Sequence, residues 1–302
     1  MTDIVSSKAL IKSKQQYDEL GETKYDYDCI LVSDAALAKV ILQDQCINSQ
    51  KLQWVHSLLV GIDVICSVEE FKLNDSIILT NAKGAFSESL AEFIIYSILQ
   101  TTQPNKFGND SSVQLLEKLT VGIIGYGDIG FQCARMINKL LKMKVVGLKR
   151  SPQNTTQEHS DQVDEIIGFD SLDYLLAKSD FVVNCLPYTK ETHELFDMRL
   201  FQKMKPTSVY VNIGRGQTGN ENDLIKALQD KIIRAASLDV FYQEPLPADS
   251  PLWDMDNVIM TPHCADLTDD YHQRSMDIFI RNLQRYQNHE QLNNICNKAL
   301  GY

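Results

Sequence analysis

The chain has 302 residues, of which 44% are hydrophobic, and it carries a formal net charge of −11 at pH 7. A chain of this length typically forms two domains, and this apolar content is sufficient for a buried core. The negative charge argues against nucleic acid or an anionic membrane as a partner, because both require a basic surface.

Cysteine usage and the terminal sequence bear on location. The seven cysteines form no CxxC pair and no cluster typical of a metal site, and their odd number suits a reducing compartment. The first residues lack the apolar core of a signal peptide, and no run reaches the roughly 18 apolar residues that a membrane span needs. We therefore expect a cytoplasmic protein without a bound metal.

The first part of the chain alternates between short strands and helices. YDCILV (27–32) is an apolar strand, and a helix capped by Ser33 or Asp34 follows it. Two further strands end in turns, one at Val60 and Gly61 and the other in TNAKG (80–84). This alternation predicts a small parallel α/β unit.

A long helix and a polar stretch come next. The helix begins at Ser87, which is its predicted cap, and it carries Glu88 in its first turn. The polar sequence TTQPNKFGNDSS (101–112) that follows is the best candidate for a domain boundary.

A glycine-rich stretch, LTVGIIGYGDIG (119–130), is predicted to be a strand, a tight turn and the start of a helix. Gly125 permits the turn, Gly127 lets the backbone approach a pyrophosphate, and Gly130 lets the helix pack on the strand. We interpret this as a dinucleotide site, although such a turn also occurs in other α/β proteins. The predicted contacts in the turn are Gly125, Tyr126, Gly127, Asp128, Ile129 and Gly130.

Strands and helices alternate from Leu119 to about His263, which predicts a doubly wound parallel sheet. Within this region the polar stretch 153–163 is predicted to be a loop. The amphipathic tail after residue 267 is predicted to be a helix that crosses back onto the N-terminal unit.

Three polar residues follow late strands of this sheet: Arg215 in NIGRG, Glu244 in QEPLP and His263 in TPHC. Taken singly, each has an ordinary interpretation, as a turn residue, a solvated carboxylate or a satisfied histidine. Together they meet the needs of carbonyl reduction, because arginine binds a carboxylate in a bidentate pair and an imidazolium held by a carboxylate donates a proton.

Several stretches in order, among them LLVGID, VGIIGYGDIG, CLPYTKETHELF, SLDVFYQEPL and NVIMTPH, resemble the D-isomer-specific 2-hydroxyacid dehydrogenase family, which includes glyoxylate/hydroxypyruvate reductases. The resemblance implies that Arg215, Glu244 and His263 are catalytic. It implies that the substrate is bound by Val60, Gly61, Arg215 and His263. It also implies further cofactor contacts at Leu186, Pro187, Thr192, Ile213, Gly214, Arg215, Asp239 and His263.

The fold that the resemblance implies is discontinuous. A doubly wound parallel Rossmann domain, residues 101–265, is inserted into a smaller flavodoxin-like α/β substrate domain made of residues 1–100 and 266–302. The resemblance also implies a homodimer.

Cofactor choice depends on the residues after the second strand of the glycine-turn unit, about 20 residues beyond the turn. These are Lys149, Arg150 and Ser151, and none of them is a carboxylate that accepts from a ribose 2′-hydroxyl. Two cations and a hydroxyl suit a 2′-phosphate instead, so we expect NADP(H) to be preferred over NAD(H). A solvated basic turn is the alternative.

The sequence thus predicts an NADPH-dependent reductase of a small 2-oxo acid, with glyoxylate or hydroxypyruvate favoured and an aromatic 2-oxo acid as the nearest enzymatic alternative. A hypothesis of another class is a non-catalytic, cofactor-responsive scaffold or corepressor-like protein, since some members of the family act in this way.

Overall fold

A computed structural model of the protein describes residues 12–102 and 115–302. The described residues form two compact units, one made of the residues up to Lys83 with His272–Tyr302 and the other lying within Gly84–Tyr271. The second unit therefore includes the helix that begins at Ser87, which the sequence-based bounds of 1–100 and 101–265 place in the first domain. Those bounds remain a prediction, and the candidate boundary 101–112 lies outside the described residues from 103 onward.

The strands of the described residues are β1 (Cys29–Val32), β2 (Trp54–Ser57), β3 (Ile78–Asn81), β4 (Thr120–Ile124), β5 (Lys144–Leu148), β6 (Glu165–Ile167), β7 (Phe181–Asn184), β8 (Val209–Asn212), β9 (Ala235–Leu238) and β10 (Val258–Met260). The α-helices are α1 (Lys14–Glu19), α2 (Ala35–Asn48), α3 (Glu69–Leu73), α4 (Ser87–Thr102), α5 (Asp128–Met136), α6 (Gln157–Ser160), α7 (Leu172–Lys178), α8 (Met198–Phe201), α9 (Glu221–Gln229) and α10 (Tyr271–Gln287).

The first unit contains a parallel sheet with the order β1-β2-β3. Asp34 caps α2 by accepting a hydrogen bond from the amide of Leu37 at 2.9 Å. Of the two caps that the sequence allows, Ser33 and Asp34, the structure therefore has Asp34. The C-terminal residues pack on this sheet, because Phe279 of α10 stacks on Trp54 with ring centroids 5.5 Å apart. The α/β character that the sequence predicts for this unit is confirmed.

The second unit contains a sheet with the order β10-β9-β8-β7-β4-β5-β6, and every pair of neighbours is parallel. Strands β4, β7 and β8 are buried along their whole length, as expected for a sheet with helices on both faces. The chain order reverses at β4, which has β5 on one side and β7 on the other. The predicted doubly wound sheet is confirmed, and ligands of such sheets bind outside the carboxyl ends of the strands at this reversal.

Two local predictions are wrong. Ser87 is the first residue of α4 rather than a cap acting through its side chain, because its hydroxyl donates to the carboxylate of Asp128. The predicted loop 153–163 contains the short helix α6, which Thr156 caps by accepting from the amide of His159. A helix of four residues is too short to show an apolar period, so its polar composition hid it.

No helix among the described residues is both long enough and apolar enough to cross a bilayer.

Candidate active site

The glycine turn after β4 has the geometry that its three glycines predict. Gly125 has φ of +95°, and a side chain there would also place a Cβ 2.9 Å from the carbonyl carbon of Cys185. A Cβ at Gly130 would lie 2.7 Å from the carbonyl oxygen of Gly125, so only glycine lets α5 begin this close to the strand.

Gly127 differs from the other two glycines, because nothing lies within 4 Å of the position that its Cβ would occupy. It is the residue just before α5, whose first amides have no acceptor within the helix. Open space at a helix N-terminus suits an anion, since both the free N–H groups and the helix dipole favour negative charge. The turn therefore fits the pyrophosphate of a dinucleotide.

The side chains of Tyr126 and Asp128, between these glycines, form hydrogen bonds with other residues of the protein. Tyr126 is fully buried, its hydroxyl donates to the carbonyl of His159 at 2.8 Å, and its amide donates to the carbonyl of Leu148 at 2.8 Å. Both of its donors are therefore engaged within the protein, and the cofactor contact that the sequence predicts at Tyr126 stays a prediction. The carboxylate of Asp128 accepts the hydrogen bond from Ser87 and lies in the first turn of α5.

The basic segment after β5 lies on one side of this turn. The amide of Lys149 donates to the carbonyl of Ile167 at 3.1 Å, which fixes the backbone where the segment leaves the sheet. The guanidinium of Arg150 donates to the carboxylate of Glu191, with Nη2 and Oε2 2.6 Å apart. Ser151 begins the turn that follows.

The segment after β7 lies on the other side of the turn, because β4 separates β5 from β7. Leu186 is buried, and Thr192 is buried with its hydroxyl donating to the carbonyl of Pro187 at 2.7 Å. The segment after β8 lies next to the segment after β7, and Ile213 in it is buried. A Cβ at Gly214 would lie 2.4 Å from the carbonyl oxygen of Leu186, so the two segments are in close contact.

Arg215 follows β8 at the carboxyl end of the sheet. Its carbonyl accepts from the Asn212 amide side chain at 3.2 Å and from the Thr218 hydroxyl at 2.6 Å. Its guanidinium donates to the carbonyl of Gly214 at 2.9 Å. Gly216 has no room for a side chain, because a Cβ would lie 1.9 Å from the carbonyl carbon of Phe241. The turn that carries Arg215 is thus held from both sides.

Glu244 and His263 form a hydrogen-bonded pair. Nδ1 of His263 donates to Oε2 of Glu244 at 2.8 Å, while Oε1 of Glu244 accepts from the amide of Phe241 at 3.0 Å. The side chains of His263 and Glu244 are 40% and 35% exposed, so the pair is accessible to a ligand. His263 has φ of +51°, which is uncommon for a residue other than glycine, and it lies three residues beyond the end of β10.

Asp239 fixes the segment that carries His263. It is buried, and its Oδ1 accepts from the Thr261 hydroxyl at 2.6 Å, the Cys264 amide at 2.9 Å and the Ala265 amide at 3.1 Å. The carboxylate therefore holds the residues on both sides of His263, whatever contact it makes to a cofactor.

Electrostatics within the pair favours the ionised form of both partners. The hydrogen bond that His263 donates to Glu244 raises the pKa of His263, against the opposing effects of burial and of the Arg215 charge. Burial alone would raise the pKa of Glu244, but the hydrogen bonds from His263 and Phe241 and nearby positive charge bring it below its usual value. A protonated imidazole beside a carboxylate is suited to proton donation.

The substrate contacts predicted at Val60 and Gly61 belong to the first unit. They follow β2, and the carbonyl of Val60 accepts from the Asn81 side chain at 2.7 Å.

Sequence reasoning missed three polar residues. Asn184 and Asn212 end the neighbouring strands β7 and β8, and each side-chain oxygen accepts an amide two residues later, at 3.0 and 3.1 Å. An asparagine at the end of each buried apolar strand was a signal available in the sequence. Asp266 interacts electrostatically with His263 and Arg215, and burial raises its pKa. Nothing in the sequence distinguishes it from a solvated acid.

Comparison with known proteins finds a family whose model matches this chain. Residues 95–265 match the model described as "D-isomer specific 2-hydroxyacid dehydrogenase, NAD binding domain". A glyoxylate/hydroxypyruvate reductase B of Shigella boydii is 40% identical over 166 residues, which are 55% of this chain and 48% of that protein, so the match spans about half of the relative.

Two solved structures of similar fold contain a nicotinamide cofactor. An NADPH-dependent glyoxylate/hydroxypyruvate reductase of Sinorhizobium meliloti, in complex with NADP and sulfate, is 27% identical with a TM-score of 0.78 over 91% of this chain and 86% of that one. A D-isomer specific 2-hydroxyacid dehydrogenase of Xanthobacter autotrophicus, in complex with NADPH and MES, is 27% identical with a TM-score of 0.76 over 85% of this chain and 82% of that one.

Proposed function

The chain belongs to the D-isomer specific 2-hydroxyacid dehydrogenase family, and from this premise we propose that it reduces the 2-carbonyl of a small 2-oxo acid to the D-2-hydroxy acid, with NADPH preferred. The observation that carries the proposal is the pairing of His263 with Glu244 at the carboxyl end of a dinucleotide-binding sheet. An accessible imidazole with a raised pKa is what proton transfer to a carbonyl oxygen requires.

The roles of the residues follow from their contacts. Glu244 engages Nδ1 of His263 and fixes the ring, which assigns Nε2 as the atom that donates a proton to the carbonyl oxygen. Arg215 binds the substrate carboxylate and polarises the adjacent substrate carbonyl. Asn212 and Thr218 position Arg215 by donating hydrogen bonds to its main-chain carbonyl. A bound nicotinamide dinucleotide supplies the hydride. Val60 and Gly61 of the first unit contribute main-chain contacts to the carboxylate in this proposal.

Cofactor contacts are proposed along the carboxyl edge of the sheet. The glycine turn holds the pyrophosphate through the first amides of α5, while Leu186, Pro187 and Thr192 line the opposite side. Lys149, Arg150 and Ser151 bind the 2′-phosphate of NADPH. The solved relatives that contain NADP or NADPH support this choice of cofactor.

Glyoxylate or hydroxypyruvate is the proposed substrate, because the Shigella boydii and Sinorhizobium meliloti relatives are described as reductases of these two acids. An aromatic 2-oxo acid is the other enzymatic candidate from the sequence. A cytoplasmic homodimer completes the proposal.

The test is oxidation of NADPH by the full chain in the presence of glyoxylate, hydroxypyruvate, pyruvate and hydroxyphenylpyruvate in turn. We expect turnover with the first two and weaker turnover with the others. Turnover with no member of the panel, together with tight NADPH binding, would instead support the non-catalytic scaffold.

A further inference from the structure

An ion pair joins the two loops on either side of the glycine turn. Arg150 lies two residues beyond β5, and Glu191 lies in the segment that follows β7, while β4 and its glycine turn stand between these two strands. Nη2 of Arg150 is 2.6 Å from Oε2 of Glu191, and the two side chains are 46% and 72% exposed. An acidic group thus contacts Arg150, which is proposed to bind the 2′-phosphate of the cofactor.

The backbone that carries Glu191 is well fixed. The hydroxyl of Thr192 donates to the carbonyl of Pro187 at 2.7 Å and accepts from the amide of Thr189 at 2.8 Å. The amide of His193 donates to the carbonyl of Thr189 at 3.0 Å. These bonds close a tight turn around Glu191, so the pair separates by rotation of the Glu191 or Arg150 side chain while the backbone that carries Glu191 stays in place.

Two anions therefore compete for one guanidinium when NADPH binds. A 2′-phosphate takes donors of Arg150 in a charge-assisted, often bidentate contact, which requires the pair with Glu191 to loosen. Afterwards the carboxylate remains near a phosphate of like charge, which is unfavourable. NADH has a neutral 2′-hydroxyl at the same place, so it neither competes with Glu191 nor suffers the repulsion.

We propose that Glu191 determines cofactor specificity by acting through Arg150: its carboxylate competes with the 2′-phosphate and holds the preference for NADPH over NADH below the value that Lys149, Arg150 and Ser151 would otherwise give. The proposal rests on the proposed function, because it takes the segment after β5 as the 2′-phosphate site. It assigns a role in cofactor specificity to an acid in the segment after β7 that acts through Arg150.

The experiment measures the dissociation constants of NADPH and NADH by calorimetry with the full chain and with E191Q, which keeps the shape of the side chain and removes its charge. An exposed ion pair is worth up to about 1 kcal/mol, so we expect E191Q to bind NADPH about three- to fivefold more tightly. The constant for NADH should stay within about twofold. The gain should shrink at high salt, because charges exposed to solvent are screened.

E165Q is the matched control. Glu165 forms a partly exposed ion pair with Lys178 at 2.7 Å, and it lies at the amino end of β6 in the same unit, so this variant removes the same charge away from the carboxyl edge of the sheet. It should change neither constant. An E191Q protein that binds NADPH no better than the wild type, binds it more weakly, or gains equally for both cofactors would overturn the proposal.

R150Q separates this inference from the proposed cofactor preference. If R150Q weakens NADPH binding selectively while E191Q has no effect, the inference fails and the 2′-phosphate site stands. If the wild type binds NADH at least as tightly and R150Q leaves NADPH unchanged, the cofactor preference itself fails, and the inference falls with it. In the R150Q background the gain from E191Q should be smaller, since the competition acts through Arg150.

Discussion

A buried histidine in the first unit should make that unit sensitive to acid. His56 on β2 has no solvent exposure, its Nδ1 lies 2.7 Å from the hydroxyl of Thr80, and its Nε2 has no hydrogen-bond partner among the described residues. The Thr80 hydroxyl also accepts from Trp54 Nε1 at 2.8 Å, and the ring of Phe279 lies 5.4 Å from the imidazole. None of these neighbours carries a charge that would stabilise an imidazolium.

The magnitude follows from the titration of His56. Burial lowers its pKa from 6.5 to about 4, so the folded protein keeps the ring neutral where the unfolded chain protonates it. Stability that is present above pH 6.5 is therefore lost as the pH falls from 6.5 towards 4. Because one pKa unit corresponds to about 1.4 kcal/mol, the loss attributable to His56 amounts to about 3 kcal/mol.

The assay is urea unfolding between pH 7.5 and pH 4, followed by Trp54 fluorescence, with W253F used to remove the signal of the other tryptophan. The H56N variant keeps a polar atom for Thr80 and does not titrate, so it should be less stable at neutral pH but should lose about 3 kcal/mol less than the wild type on acidification. H289N, which changes an exposed histidine, serves as the control and should behave as the wild type. Equal acid sensitivity of the wild type and H56N would refute this reasoning.

Three further outcomes are expected. In E244Q the imidazole of His263 loses its carboxylate partner, so the pKa of His263 should fall. The rate of reduction should then decline at a lower pH than in the wild type, as measured by pH profiles of kcat/KM. G216A should destabilise the second unit by several kcal/mol in thermal unfolding, because a Cβ would lie 1.9 Å from the Phe241 carbonyl carbon. R215K keeps the charge but loses the planar fork, so KM for the 2-oxo acid should rise about tenfold or more while the affinity for NADPH stays within about threefold, as measured by steady-state kinetics and calorimetry.

The parts of the site that the sequence anticipates are those that follow a strand. Arg215, Glu244 and His263 come after strands whose carboxyl ends share one edge of a parallel sheet, so their approach to that edge follows from the strand pattern alone. The glycine turn is predictable for a similar reason, since each of its glycines meets a steric demand within a few residues of itself.

The parts that the sequence does not anticipate depend on contacts between distant segments. Ser87 has the residue type and position of a helix cap, but its hydroxyl donates to Asp128, 41 residues away. Arg150 and Glu191 are equally far apart in the chain, and neither lies in a pattern that indicates the other. Local propensity describes such residues correctly as polar, while tertiary structure decides their partners and their burial.

The most direct test of the proposed chemistry is a comparison of wild type with H263N, in which asparagine tolerates the positive φ of residue 263 but cannot donate a proton as an imidazolium does. Turnover of glyoxylate or hydroxypyruvate by NADPH and the dissociation constant of NADPH are measured for both proteins. We expect turnover to fall by about a hundredfold or more while NADPH binding changes by less than about threefold. An H263N protein that keeps wild-type turnover would contradict the role assigned to His263.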